Sequence, residues 1–365
     1  MASTFKRTAR LFAATAMLGL STLTAAQSTN SPNAAPPPPP PAMATRPPRA
    51  AADMQAVLDA LAALGPKPIE TLTPVKARIQ PAFPDALKAV MRRQGQSTAP
   101  DPAVVTQDLP YGADPMQYAR VYRPAAGGTG LPVIVYYHGG GWVIADVNAY
   151  DAVPRLMSKQ LNAVVVSVEY RHAPEAKFPA QHEDAVAAYR WTLQNAATWG
   201  GDTTKVALAG ESAGGNLAVA TAIYARDNNL PAPVHVLAVY PIANSATDLP
   251  SRMDSANAKP LNAAMLKWFG SFYTNSMADM QDPRLNLVGA NLRGLPPTTI
   301  VNSQIDPLRS DGETLAAAMR SAGDRVEQRT FAGVTHESFG MGKVVRGAFD
   351  QENYAIARLK TAFAR

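Results

Sequence analysis

The chain has 365 residues, 47% of them hydrophobic, with no cysteine and a formal net charge of +6. The charge excess sits at the start: Lys6, Arg7, Arg10, Arg46 and Arg49 face no acid in residues 1–50, which leaves 29 basic against 28 acidic residues over 51–365. That balance excludes the basic face a nucleic-acid partner needs, and the missing cysteines exclude both disulfides and a lipid-modified cysteine, so the chain must rely on a hydrophobic core, for which it is long enough.

Lys6, Arg7 and Arg10 precede an uncharged stretch over 11–26 that closes on Thr24-Ala25-Ala26. This is the pattern of a secretory signal peptide over 1–26 with cleavage after Ala26, and it predicts an exported protein, periplasmic or secreted. The apolar part is shorter than the roughly 20 residues of a membrane span; an uncleaved tether is the alternative. Residues 27–50 form a proline-rich, low-complexity linker with an unbroken proline run at 36–41, a composition that favours an extended spacer. Residues 51–64 have helical Ala/Leu character, after which Pro66, Pro68, Pro74, Pro81 and Pro84 break the chain into short pieces.

From Tyr118 onward, strand-like runs at 118–122, 132–137, 164–169, 205–209, 234–240, 298–302 and 326–331 alternate with helical stretches near 149–161, 180–195, 212–226, 311–321 and 345–363. The alternation predicts an α/β architecture over 51–365, with a mostly parallel central sheet and helices on both faces. No internal repeat is visible.

Two glycine-rich segments interrupt this pattern, each just after an apolar strand. His138-Gly139-Gly140-Gly141 follows Pro132-Val133-Ile134-Val135-Tyr136-Tyr137. Three consecutive glycines let backbone N–H groups approach a bound molecule with no side chain in between. The second segment, Gly210-Glu211-Ser212-Ala213-Gly214-Gly215, fits G-x-S-x-G between a strand and a helix. By chance that pattern arises on the order of 0.1 times in a chain this long, and the upstream glycine loop makes coincidence rarer still.

The turn lifts Ser212 off the strand with a positive φ, a strain tolerable only with small neighbours such as Gly210 and Gly214. The Gly140, Gly141 and Ala213 N–H groups are the predicted oxyanion hole, where loss of one donor costs about 10²–10³ in rate.

A serine nucleophile needs a general base. Of the five histidines, His138 belongs to the glycine loop, His235 lies inside a strand-like run, and His172 and His182 precede Ser212. Chain order on this fold runs Ser, acid, His, which selects His336 in the loop after 326–331. Between them Asp306 follows the strand 298–302 and is the predicted acid that holds the histidine tautomer. Asp311 competes, but sits where a helix N-cap or first-turn acid belongs, and Asp324 beside Gly323 reads as a turn residue.

Together, His138–Gly141, Gly210–Gly215, Val168-Glu169-Tyr170-Arg171-His172-Ala173-Pro174-Glu175 with Phe178-Pro179-Ala180, Asp306-Pro307-Leu308-Arg309 and His336-Glu337 resemble a bacterial member of the hormone-sensitive lipase family of α/β-hydrolases, from about residue 100 to the C-terminus. Glu211 stands where the commonest family pattern has Asp, and His172 where it often has Leu. The resemblance implies an α/β-hydrolase fold with a helical cap formed by about 51–100 and 245–285, and a serine carboxylic ester hydrolase acting through an acyl-enzyme on small-molecule esters with short- to medium-chain acyl groups. It implies no metal and no organic cofactor, and activity that falls on the acidic side near the imidazole range of about 6–7.

In the insertion, Met265, Leu266, Trp268, Phe269, Phe272 and Tyr273 have two readings: packing of a helix against the sheet, or an acyl pocket lined by Met265, Phe269 and Trp268. Two other readings of the whole chain stay open at this point, an amidase or peptidase with the same residues and a ligand-binding protein on a retained hydrolase fold.

Overall fold

The strand Leu131–Tyr137 is valine-rich and buried along nearly its whole length, and Val164–Val168 beside it is buried throughout. That is the composition of strands covered on both faces. In a computed structural model of the chain, which describes residues 48–364, they are the centre of an eight-stranded sheet. The predicted signal peptide and residues 27–47 of the predicted linker lie outside the described residues.

In chain order the strands are β1 (Val104–Pro110), β2 (Tyr118–Pro124), β3 (Leu131–Tyr137), β4 (Val164–Val168), β5 (Gly201–Glu211), β6 (His235–Val239), β7 (Thr298–Ile305) and β8 (Val326–Thr335), arranged β1-β2-β4-β3-β5-β6-β7-β8. β2 is antiparallel to both β1 and β4, and every pairing from β4 to β8 is parallel. The helices are α1 (Ala52–Ala63), α2 (Pro74–Arg78), α3 (Phe83–Arg93), α4 (Ala152–Leu161), α5 (Ala180–Asn195), α6 (Ala213–Asp227), α7 (Pro250–Met253), α8 (Ala263–Tyr273), α9 (Arg309–Ser321) and α10 (Arg346–Phe363). None of them is long and apolar enough to cross a membrane.

Alternation along each strand divides the core. Val133 and Val135 of β3 pack with Ala185 and Tyr189 of α5, Leu217 of α6 and Leu315 of α9. Ile134 and Tyr136 point to the opposite face, with Met54 and Val57 of α1, Met157 of α4 and Ile356 and Leu359 of α10. The predicted α/β sandwich is therefore the observed one.

Besides the short helices α2 and α7, two elements escaped the sequence reading. β1 is an edge strand with one buried residue, Val104, and its exposed Thr106, Gln107 and Asp108 hide any apolar alternation. α3 forms in the region that prolines were expected to fragment. Pro84 lies in its first turn, where a missing N–H costs no intrahelical bond, and the Asp85 carboxylate accepts the Ala82 N–H at 3.0 Å.

The segments expected to form a cap have separate fates. α1 is part of the core, with Met54 and Val57 fully buried. Residues from Pro66 to Met91 and from Met253 to Leu285 contribute the walls of a cleft of about 1550 Å³ that opens over the carboxyl ends of the strands. The two meet where the Trp268 indole N–H donates to the Leu72 carbonyl at 2.9 Å. Arg78 ties the first segment to the sheet loops, donating from Nε to the Val143 carbonyl at 2.8 Å and from Nη2 to the Ala173 carbonyl at 2.7 Å.

Candidate active site

β5 ends at Glu211 and α6 begins at Ala213, so Ser212 alone makes the turn, with φ 55 and ψ −116. The predicted positive φ is observed. Its N–H donates to the Val239 carbonyl at 2.9 Å, and its own carbonyl accepts from Asn216 at 3.1 Å, which holds the strained residue from both sides. Small neighbours are obligatory: a methyl at Gly210 would lie 2.1 Å from the Gly214 carbonyl oxygen, and one at Gly214 would lie 2.0 Å from that of Tyr137.

Asp306 follows the end of β7 and His336 the end of β8, so parallel pairing brings all three side chains to one edge of the sheet. His336 Nε2 stands 3.0 Å from Ser212 Oγ, and His336 Nδ1 stands 2.8 Å from Asp306 Oδ2. Asp306 Oδ1 accepts the Leu308 N–H at 2.7 Å, which fixes the carboxylate plane. All three residues are buried, Ser212 being 7% exposed. Burial by itself would push the His336 pKa down; the Asp306 carboxylate outweighs it, with Glu337 adding to the effect, and the net direction is up from the ordinary imidazole value.

Gly140 and Gly141 border the cleft beside Ser212 and Ala213 with φ of 99 and 60. Their N–H groups make no intramolecular hydrogen bond among the described residues. The Ala213 N–H is the first of α6 and has no intrahelical acceptor. The Phe269 ring lies directly on the loop, so that a methyl at Gly141 would come 2.4 Å from Phe269 Cδ1.

Met265 and Phe269 both line the cleft, held by α8, whose Asn262 cap accepts the Met265 N–H at 2.9 Å. Trp268 does not: the helix turns it away, 7% exposed, against Phe272 and the Leu72 carbonyl, so its work is to join the two wall segments. One helix thus serves both of the readings left open for this insertion.

The competing residues have other duties. Asp311 is buried against Arg252 at 2.6 Å and accepts the Ala243 and Asn244 N–H groups at 3.0 and 3.1 Å, anchoring the root of the insertion to α9. Burial pushes its carboxyl up to about 6 despite Arg252. Asp324 accepts from the Gly294 and Leu295 N–H groups, and His235 Nε2 is 3.0 Å from Thr299 Oγ1 within the sheet.

Sequence reasoning missed two polar assemblies around the site. Glu211 is wholly buried and accepts the hydroxyls of Tyr136 and Tyr240, and burial pushes its carboxyl up to about 8. Its position beside the nucleophile was the available signal. His182 Nε2 lies 2.9 Å from Asn216 Oδ1 and its Nδ1 3.1 Å from the Tyr273 hydroxyl, joining α5, the first turn of α6 and the end of α8. Burial pushes this imidazole down to about 4, so it is neutral at physiological pH. Nothing in the local sequence foretold that junction.

Comparison with known proteins agrees with this geometry. The sequence profile of the alpha/beta hydrolase fold family matches residues 134–340. Carboxylesterase NlhH of Mycobacterium tuberculosis is 39% identical over 247 residues, 67% of this chain and 77% of that one. Esterase LipI of the same organism is 33% identical over 307 residues, 82% of this chain and 95% of that one. The structure of the hyperthermophilic esterase from Pyrobaculum calidifontis superposes with a TM-score of 0.76 at 32% identity, covering 86% of this chain and 98% of that one. The chain belongs to the alpha/beta hydrolase fold family and is a carboxylic ester hydrolase of its hormone-sensitive lipase-like branch.

Proposed function

We propose that the ester bond is cleaved by Ser212, with His336 as general base and Asp306 as its orienting acid. The observation that carries this reading is the unbroken chain of contacts from Ser212 Oγ through both His336 nitrogens to Asp306, at 3.0 and 2.8 Å, under the rim formed by Gly140 and Gly141. Ser212 Oγ attacks the ester carbonyl carbon as His336 Nε2 takes its proton, while Asp306 holds the Nδ1–H and stabilises the imidazolium. The new alkoxide receives the Gly140, Gly141 and Ala213 N–H groups. Collapse expels the alcohol, which leaves with the proton from His336. Water then attacks the acyl-enzyme by the same route in reverse and releases the carboxylic acid and free Ser212.

The acyl groups accepted are short to medium in length. Phe269 presses on Gly141, which places an aromatic wall next to the reacting carbonyl and limits the space for an acyl chain there. The enzyme works after export, as periplasmic or secreted protein, on the reading of residues 1–26 as a signal peptide with 27–50 as spacer and 51–365 as the catalytic unit. The test is hydrolysis of p-nitrophenyl esters of graded chain length by the mature protein and by Ser212→Ala. A maximum at short chains and a loss on the order of 10³-fold or more in kcat for the variant are expected. Activity retained by Ser212→Ala would remove Ser212 as nucleophile.

A further inference from the structure

At the head of the glycine loop, among residues that do not line the cleft, three potential ligand atoms converge. His138 opens the glycine loop after β3, and Glu169 and His172 follow directly on β4. All three are buried, at 0%, 0% and 8% exposure. Glu169 Oε1 lies 3.1 Å from His172 Nε2 and 3.7 Å from His138 Nε2, and the three atoms all fall within 4.8 Å of one another. Despite this closeness none of the three has a hydrogen-bond partner of acceptable geometry among the described residues. Glu169 is the ion-pair partner of both imidazoles, but without a well-aligned hydrogen bond the contact leaves three buried polar atoms poorly satisfied at one point.

We propose that His138 Nε2, Glu169 Oε1 and His172 Nε2 bind a Zn²⁺ ion. Zinc holds imidazole nitrogen and carboxylate oxygen at about 2.0–2.2 Å in a tetrahedron, which places neighbouring ligand atoms roughly 3.3–3.5 Å apart. The separations of 3.1 and 3.7 Å bracket that range. The atoms behind the ligands agree. His138 Nδ1 is 2.7 Å from the Gly139 carbonyl, so the ring proton sits on Nδ1 and the Nε2 lone pair faces the cluster. Glu169 Oε2 accepts the Val147 N–H at 2.9 Å, which holds the carboxylate with Oε1 toward both imidazoles. Two imidazoles and one carboxylate suit zinc better than magnesium or calcium, which prefer all-oxygen sets.

None of the three residues lines the cleft, so the ester chemistry proceeds without the ion. Its effect is to clasp the head of the glycine loop to the end of β4, behind the Gly140 and Gly141 N–H groups.

The experiment refolds the protein from denaturant with zinc in excess, removes loose metal by gel filtration against a weak chelator, and measures bound zinc by atomic emission. Wild-type protein and His336→Ala each retain one zinc per chain, which excludes the imidazole beside Ser212 as a ligand; His172→Leu and Glu169→Gln retain none. Refolding with Co²⁺ gives wild-type protein the strong visible absorption of a tetrahedral site, a readout that needs no variant. The thermal midpoint rises with zinc in wild type and does not move in His172→Leu. Wild-type protein that retains no zinc and shows no cobalt band overturns the site, as does equal retention by a folded His172→Leu.

Discussion

Ser212 and His336 do opposite things with burial. The serine needs a confined, strained backbone so that Oγ projects from the turn, and Gly210 and Gly214 supply it by what they lack. As the proposed general base, the histidine must stay basic although burial favours its neutral form, and Asp306 beside it reverses the sign. A general base works when neutral. A pKa raised above the ordinary 6.5 therefore places the acidic limb of kcat/KM above that value, and activity is lost as pH falls through it. Two carboxyls near the ring should act differently on this limb. Glu337 Oε1 lies 3.8 Å from His336 Nε2 and favours the imidazolium, so Glu337→Gln moves the limb to lower pH. Glu211 raises the imidazole less than Glu337 does, and burial pushes its own carboxyl up to about 8, so Glu211→Gln moves the limb less. Profiles of kcat/KM against pH for the two variants check both; a larger downward shift in Glu211→Gln than in Glu337→Gln, or none in Glu337→Gln, would refute this account. The two glycine motifs and the positions of Ser212, Asp306 and His336 after their strands were legible from strand-loop order, and the structure brings the three side chains together. Glu211 was visible as a residue but not as a buried acid, because its tyrosine partners come from β3 and from just beyond β6.

At the scale of elements, α8 illustrates how one helix divides its labour by angle. Met265 and Phe269 border the cleft, whereas Trp268 between them turns toward Leu72 and fastens the two wall segments together. Met265→Trp adds bulk to the cleft wall and should shift the chain-length optimum toward shorter acyl groups, with a several-fold loss on the longer esters. An unchanged profile across graded p-nitrophenyl esters would refute that placement. The 3.6-residue period marks an apolar face, but it does not say what covers the face. For the same reason the junction of His182, Asn216 and Tyr273 was invisible: its members are 34 and 57 positions apart and meet only after α5, α6 and α8 have packed. β1 and α3 escaped for local reasons. An exposed edge strand needs no alternation, and a proline counts as a breaker only outside the first helical turn.

Across the whole molecule, helical crossovers into a parallel sheet bring the carboxyl ends of β5, β7 and β8 together, and the wall segments close over them. The export reading belongs to this scale too. The chain recovered from the periplasm or medium of an expressing bacterium should begin at Gln27, read by intact mass; a full-length mass in the membrane fraction would indicate a retained tether instead. The sequence by itself determined the strand and helix alternation, the strained serine turn, the glycine loop and the chain order of Ser212, Asp306 and His336. Those are properties of short segments, where backbone sterics and apolar periodicity act between near neighbours. Only the tertiary structure decided which side chains wall the cleft, that Asp311 anchors Arg252, that Glu211 lies among tyrosines, and that His172 joins His138 and Glu169. Each of those depends on contacts between residues far apart in the chain, and on the burial that only the assembled sheet and helices create.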